Sequence, residues 1–529
     1  MCINNQGRLN RWTVLCCLWV CLTSQLVAEQ RPNLLILLTD DQRTDTLGCY
    51  NAISPIETPA IDQLAREGIR FENGFVTTPV CAVSRASILT GRYASSHGMH
   101  RFDTMLADDV FDQSYPAYLK EAGYFSGHFG KYGVGITSAQ KARFDVFDAQ
   151  MEQGPMFRDY NGRRLHDAEW LTAKAGEFFA AVPDGQPFVL KLSYKEPHNS
   201  SCPDPNDAGV LSDYDFQRSP DDTKDAYNQV PSIVKPSLME ENYSSKMSTD
   251  TLFNDYMRAY HEKIMSVERS VGEVRRLLEQ HGLADNTIIL FLSDHGTHFG
   301  EKQFAGKWTP YDASLRIPFI VYDPRPGARK RVVSDQMVLN IDIAPTLLDL
   351  AGVEVPDIMD GVSLVPLVSA LRPLSSEKWR SHFAYEHFTS PSQIPVHIPR
   401  FDGILTKDFK YVRWCDAVPV VEELFDLEND PSESNNLASN PEYAVQLNQL
   451  RIVYSKWREQ NPMSYAYNTY SWRPHSGNPE IDWERFKAAH PEKYARIAEQ
   501  VEQLGVTWHQ AVSDRAIRIK ISHAVGWLY

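Results

Sequence analysis

The chain has 529 residues, 43% of them hydrophobic and 23% charged, which is the balance of a globular protein and excludes wholesale disorder. The length accommodates one large catalytic domain and a smaller one. A formal net charge of −15 makes the surface acidic, which disfavours nucleic acid as a partner and requires any anionic substrate to meet a focused basic pocket rather than a basic face.

At the N-terminus, Arg8 and Arg11 precede an apolar run from Thr13 to Leu22, followed by small and polar residues to Ala28. This reads as a signal peptide over 1–28, because its apolar centre is shorter than the roughly 20 residues that a membrane span needs. The mature protein is therefore expected to be exported, either secreted or periplasmic, or lysosomal in a eukaryote, with no stable membrane span. The leader holds two arginines and no acid, so its removal takes the formal charge to −17. It also removes Cys2, Cys16, Cys17 and Cys21, leaving Cys49, Cys81, Cys202 and Cys415. No disulfide framework is implied, and a single bridge among Cys49, Cys202 and Cys415 stays open.

Asn33 to Thr39 is an unbroken apolar strand, too uniform to have one wet face. Phe188 to Ser193 and Thr287 to Ser293 are further strand candidates, and Ser266 to Gln280 places Val267, Val271, Val274, Leu277 and Leu278 on one helix face. Between them, residues 199–250 are rich in Ser, Asp, Pro and Asn and read as a long surface excursion. The alternation of strands and helices argues for an α/β fold. A second unit is expected over 375–460, with strands at Phe383 to Glu386 and Lys410 to Trp414 and a helix at Tyr443 to Trp457. The main domain then covers 29–374, and 461–529 is an aromatic and polar extension to which no function is assigned.

Two acidic pairs stand where strands end. Asp40 and Asp41 follow the first strand, and Asp294 with His295 follows Thr287 to Ser293. Open α/β sheets bind ligands outside the carboxyl ends of their strands, so these carboxylates suggest a hard divalent cation, Ca²⁺ or Mg²⁺. His295 is a softer ligand than the three aspartates. The stretch Cys81-Ala82-Val83-Ser84-Arg85, opening a helix-competent segment, reads as a nucleophile that attacks directly or is chemically modified.

That stretch resembles the signature of the type I sulfatases, Cys-x-Pro-Ser-Arg followed by an apolar pair and Thr-Gly. The match covers Cys81, Ser84, Arg85, Leu89, Thr90, Gly91 and Arg92, with Val83 where the family has proline or alanine. The resemblance continues in Leu37 to Asp41, Gly130-Lys131, Pro197-His198, Ser293 to Gly296, Lys307 to Pro318, Asp342 to Gly352 and Glu423 to Leu437, in the family's order over most of 32–460. It implies an alkaline phosphatase-like fold, a large mixed, mostly parallel sheet flanked by helices, with a smaller C-terminal α+β subdomain. It implies that a formylglycine-generating maturation enzyme oxidises Cys81 to formylglycine. The cation is then held by Asp40, Asp41, Asp294, His295 and the modified Cys81. Arg85 orients the formylglycine hydrate, Lys131 and Lys307 neutralise the sulfate, and His198 is the general acid. The substrate implied by family and export is a sulfated carbohydrate or polysaccharide.

One departure touches the chemistry. The family usually reads Gly-Lys-Trp-His where this chain has Gly130-Lys131-Tyr132-Gly133, so the histidine that helps to collapse the intermediate is missing. His128 is expected to pack rather than replace it, and packing or supporting hydrogen bonds are expected of His97 and His100. Two other readings stand beside hydrolysis of sulfate esters: a phosphodiesterase or phosphonate hydrolase on the same scaffold, and a sulfated-glycan-binding homologue with impaired turnover, motivated by Val83 and Gly133.

Overall fold

The structure, a computed structural model, describes residues 31–50, 54–100, 105–150, 153–374, 379–388, 399–417, 419–462 and 491–505. The expected leader and most of the 461–529 extension lie outside the described residues. The strands begin with β1 (Asn33–Thr39), β2 (Ile69–Phe75), β3 (Phe125–Lys131) and β4 (Val146–Gln150), then a hairpin of β5 (Phe157–Tyr160) and β6 (Arg163–His166). Next come β7 (Phe188–Ser193), β8 (Thr287–Ser293), the short pair β9 (His298–Phe299) and β10 (Ala305–Gly306), then β11 (Phe319–Tyr322) and β12 (Val332–Leu339). The last four are β13 (His382–His387), β14 (Phe401–Thr406), β15 (Phe409–Trp414) and β16 (Val421–Asp426).

Eight strands form one sheet in the order β12-β2-β11-β8-β1-β7-β3-β4. β1 lies parallel between β7 and β8, whereas β11 runs antiparallel to β2 and β8. The uniform apolarity of β1 has a direct cause. Leu34, Ile36 and Leu38 enter the core on one face of the sheet, and Leu35 and Leu37 enter the core on the other. A strand buried on both faces has no place for a polar alternation.

The helix expected from Ser266 begins at Asp250 and runs to Gln280, capped by the Thr249 hydroxyl accepting from Leu252 N–H. Phe253, Met257, Tyr260 and Ile264 extend the buried stripe of Val267, Val271, Val274 and Leu278 at alternating spacings of four and three. The 199–250 segment differs from a pure surface excursion. It contains the helices Lys224–Gln229 and Leu238–Lys246 and places Val230, Val234, Leu238 and Met239 in the core. These helices are too short for a periodicity to show in the sequence.

β13 to β16 form a separate antiparallel sheet, with the helix Ala444–Gln460 after it. This sheet joins the main core: the Phe75 and Phe383 rings lie 5.2 Å apart, and Glu386 N–H donates to Thr77 O at 2.9 Å. Cys49, Cys81, Cys202 and Cys415 are all free, so the bridge left open by the sequence does not form. Among the described residues, no helix is long and apolar enough to cross a membrane.

Candidate active site

Parallel strands bring their carboxyl ends to one edge, and the candidate residues follow from that topology. Asp40 and Asp41 leave β1, Asp294 and His295 leave β8, Lys131 ends β3, and His198 lies a few residues beyond β7. Backbone bonds hold these exits together: Asp40 N–H donates to Glu196 O at 3.1 Å and Asp294 N–H to Thr39 O at 3.0 Å. Asp41 is held in the left-handed region, φ +66°, a conformation that non-glycine residues adopt mainly where the surroundings enforce it. Cys81 is the first residue of the helix Cys81–Thr90, and Lys307 follows β10.

The side chains converge on the Cys81 thiol. Its Sγ lies 3.0 Å from Lys307 Nζ, 3.1 Å from His295 Nε2 and 3.7 Å from Asp40 Oδ1. Each aspartate has a cation: Lys131 on Asp40, Lys307 on Asp41 Oδ1 at 2.6 Å, and Arg85 Nε on Asp294 Oδ2 at 2.8 Å. Arg85 is fully buried and also donates to Lys131 O at 2.8 Å and Ser193 Oγ at 2.6 Å. His295 Nδ1 is 3.3 Å from Asp41 Oδ1, and His198 Nε2 is 3.7 Å from Asp41 Oδ2. The structure thus brings together the nine residues expected to hold the cation or act on the sulfate: Asp40, Asp41, Cys81, Arg85, Lys131, His198, Asp294, His295 and Lys307.

Burial works to raise Asp40, but Lys131, His198, Arg85 and Lys307 together hold it well below the usual carboxylate range. Asp41 is raised, because burial prevails over Lys307 and His295. His295 is pushed up to about 9; burial opposes this, and Asp294 with the other acidic neighbours overcomes it. His198 is held well below the usual imidazole value by burial and then by Lys307. Its Nδ1 accepts from Ser200 N–H at 3.1 Å, so the network assigns the remaining proton to Nε2, the nitrogen facing Asp41.

The residues also suit a divalent cation. Asp40, Cys81, Asp294 and His295 offer ligand atoms within 4.8 Å of one another, as do Asp40, Asp41, Cys81 and His198. Three buried carboxylates supply hard oxygen donors of the kind that calcium and magnesium take.

The sulfatase family model matches residues 32–353, and a second, for the C-terminal part of N-sulphoglucosamine sulphohydrolase, matches residues 300–460. The chain belongs to the type I sulfatase family. This sulfatase is a sulfuric ester hydrolase with the alkaline phosphatase-like fold. It is 27% identical over 501 residues to an N-acetylglucosamine-6-O-sulfatase of Bacteroides thetaiotaomicron, covering 83% of this chain and 88% of the relative. It is also 27% identical over 447 residues to an ulvan-active sulfatase of Formosa agariphila, covering 78% and 77%. A solved structure in complex with its substrate D-glucosamine-2-N,6-O-disulfate matches with a TM-score of 0.70 at 25% identity, over 84% of this chain and all of that one. A phosphonate monoester hydrolase of Silicibacter pomeroyi matches with a TM-score of 0.66 at 24% identity, over 82% and 96%, and shares the fold.

The two departures in this sulfatase have local explanations. Val83 packs with Val80, Ala94 and Trp308, two residues from Cys81. Gly133 has φ +81°, and a Cβ there would lie 2.9 Å from Arg85 Cδ, so a histidine would require Arg85 to move and would sit on a strained backbone. His128 is not its replacement: it is buried among the rings of Tyr132, Phe147 and Phe144, at 5.0, 5.7 and 6.2 Å. His97 is buried 3.1 Å from Ser87 Oγ, and His100 Nδ1 lies 2.9 Å from Gly98 O.

Four neighbours of the site were not found by sequence reasoning. Gln153 Nε2 donates to Asp40 Oδ2 at 3.2 Å, Tyr260 OH donates to Asp41 O at 2.7 Å, Ser193 holds Arg85, and Trp308 covers Val83. Tyr260 lies on the buried stripe in the unread half of the long helix, so its position was within reach. Gln153 belongs to no periodic element and carries no sequence signal.

Proposed function

We propose that this sulfatase is an exported enzyme that hydrolyses sulfate esters on a carbohydrate, using formylglycine made from Cys81 and a bound Ca²⁺ or Mg²⁺. The observation that carries the reading is the convergence of Lys307, His295 and Asp40 on one buried thiol, with Arg85 and Lys131 closing the cradle. Asp40, Asp41, Asp294 and His295 would hold the cation together with the modified Cys81; when bound, it polarises the sulfate oxygens and offsets their charge. Formylglycine, as its hydrate, supplies the oxygen nucleophile.

The remaining work falls to the chain's own side chains. Arg85, fixed by Asp294, Ser193 and the Lys131 carbonyl, holds the modified residue in one orientation. Lys131 and Lys307 provide the local positive charge that an acidic surface lacks and that a sulfate monoanion requires. His198 protonates the leaving sugar oxygen from Nε2, because an alkoxide is a poor leaving group near neutral pH. In the free site burial first, and then Lys307 and Lys131, disfavour the imidazolium. A bound sulfate counters the two charges and so shifts His198 towards the form that donates.

Cys81 and every other residue of the Cys81–Thr90 helix are buried, so the maturation enzyme is proposed to act before this segment folds. The expected leader and the extracellular names of some relatives support export. The carbohydrate assignment draws on relatives named for N-acetylglucosamine-6-O-sulfate and ulvan.

The test is a substrate panel for formylglycine-bearing protein loaded with calcium: sulfated monosaccharides, a phosphodiester and a phosphonate monoester. Sulfate release from the sugars, at least 100-fold faster than turnover of either phosphorus ester, is the expected result. Turnover confined to the phosphorus esters would replace this reading, and binding of sulfated sugar with no release would favour the impaired homologue.

A further inference from the structure

Beyond the cations already paired with the aspartates, Lys246 lacks a carboxylate; Lys263 also lacks one, but it is buried and spends its ammonium on the Pro197 and His198 carbonyls. Lys246 ends the helix Leu238–Lys246, and its ammonium donates to the Asn242 side-chain oxygen at 2.9 Å. Among the described residues no acidic group forms an ion pair with it. Lys131 and Lys307, by contrast, each rest on an aspartate.

The location of Lys246 is set by packing. Asn242 and Lys246 are four residues apart and share a helix face. That face lies against β10, because a Cβ at Gly306 would be 3.4 Å from Asn242 Nδ2, and Lys307 is the next residue. The helix is also anchored by Tyr243 OH donating to Asp222 Oδ1 at 2.6 Å, while Arg218 Nη1 holds Asp222 Oδ2 at 2.5 Å. Lys246 is close enough to Asp41 and Lys307 for their charges to act on it, and burial as the largest influence pushes it down to about 8. Tyr256, on the long helix, also lies within reach of the Asp41 and Lys307 charges.

A half-buried ammonium without a counter-ion is costly, and an arriving anion removes that cost. The nearby aspartates do not serve, since among the described residues none lies within ion-pair distance of Lys246 and each already faces another cation. We infer that Lys246, presented by Asn242, binds a second anionic group of the substrate, a further sulfate or a uronate carboxylate, and so selects doubly anionic sugars. This rests on the proposed sulfated-carbohydrate reading and narrows it to a substrate class.

The test uses calcium-loaded full-length protein carrying Cys81→Ala, so that binding is read without turnover. Calorimetry compares glucosamine 6-sulfate, glucosamine N,6-disulfate and a sulfated uronate, with Lys246 present, with Lys246→Met and with Lys246→Arg. The doubly anionic sugars are expected to bind at least tenfold more tightly than the singly sulfated one. Lys246→Met is expected to remove most of that ratio, and Lys246→Arg to restore it. Whether the disulfate or the uronate shows the larger ratio identifies the second group as sulfate or carboxylate. An absent preference in the parent, or a ratio unchanged by Lys246→Met in protein with a native circular dichroism spectrum, overturns the inference. Failure of the underlying reading has a different signature, namely no sulfate release from any of these sugars by calcium-loaded protein bearing formylglycine at position 81.

Discussion

Arg85 is proposed to serve both stability and chemistry. It is fully buried, and its guanidinium satisfies Asp294, the Lys131 carbonyl and Ser193. Arg85→Met leaves a buried carboxylate without its cation, a change that costs about 3–5 kcal/mol. Denaturant unfolding of the variant is expected to show that loss, and sulfate release to fall at least 100-fold. His198 makes a prediction with a sharper signature. If His198 is, as proposed, the proton donor to a sugar oxygen, His198→Ala should lower kcat on a sugar sulfate about 10²–10⁴-fold. The same variant should lose far less on a nitrophenyl sulfate, whose leaving group needs no proton. Equal losses on both substrates would remove His198 from that role. Residues of this kind were legible because they fall within runs that follow an apolar strand or open a helix, as Asp40-Asp41 and Cys81 to Arg85 do. Lys246 and Gln153 were not, since only the folding of their segments brings them to the site.

The helix Cys81–Thr90 explains why Val83 is compatible with a proline-bearing signature. The first intrahelical bond runs from Ser84 N–H to Val80 O at 2.7 Å, so the N–H of Val83 belongs to the first turn and has no helical acceptor. Val83→Pro therefore breaks no helical bond and is expected to fold. It is also expected to raise the fraction of Cys81 converted to formylglycine, measured by mass spectrometry of the Phe71–Arg85 peptide; an unchanged fraction would show that Val83 does not limit conversion. Among the strands, β1 and β8 were legible because burial on both faces leaves only apolar residues. β3 was not. Its Gly127 and Gly130 break the apolar run, and they are required because a Cβ would meet the Phe178 ring at 2.5 Å and Ser193 O at 2.1 Å. β2, with Arg70 and Glu72 half-buried, conceals its place in the sheet in another way.

For the molecule as a whole, buried imidazoles set the response to acid. Burial pushes His97 and His387 down to about 3 and His261 and His298 down to about 4. Below pH 6.5 the unfolded chain protonates these rings while the folded one does not, so their contribution to stability is lost as pH falls towards 3–4. Glu196 and Glu423 work in the opposite sense. Burial raises them to about 8 and about 7, so the folded chain retains protons that the unfolded chain releases, and stability declines as pH rises through that window. His128 and His198, also lowered by burial, act with these rings on the acid limb, and His295, raised to about 9, acts with Glu196 and Glu423 on the alkaline one. The denaturant midpoint is therefore expected to peak near pH 6.5 and fall more steeply on the acid side. His387 stacks on Phe401 at 5.1 Å, and neither ring nitrogen has a partner among the described residues. Replacing it with phenylalanine should flatten the acid limb, and an unchanged limb would remove His387 from this account.

At this scale the acidic composition also finds its counterpart. Arg85, Lys131 and Lys307 stand together beyond the carboxyl ends of the parallel strands, each against an aspartate, so a bound divalent cation would make this the focused basic pocket that a −15 chain needs.

The most direct measurement of the central claim is sulfate release from a sulfated monosaccharide by calcium-loaded preparations that differ in formylglycine content at position 81, each content determined by mass spectrometry. The expected result is a rate proportional to formylglycine content and lost in Cys81→Ala. Release that persists in Cys81→Ala, or none from fully converted protein on any sulfated sugar, would contradict the account.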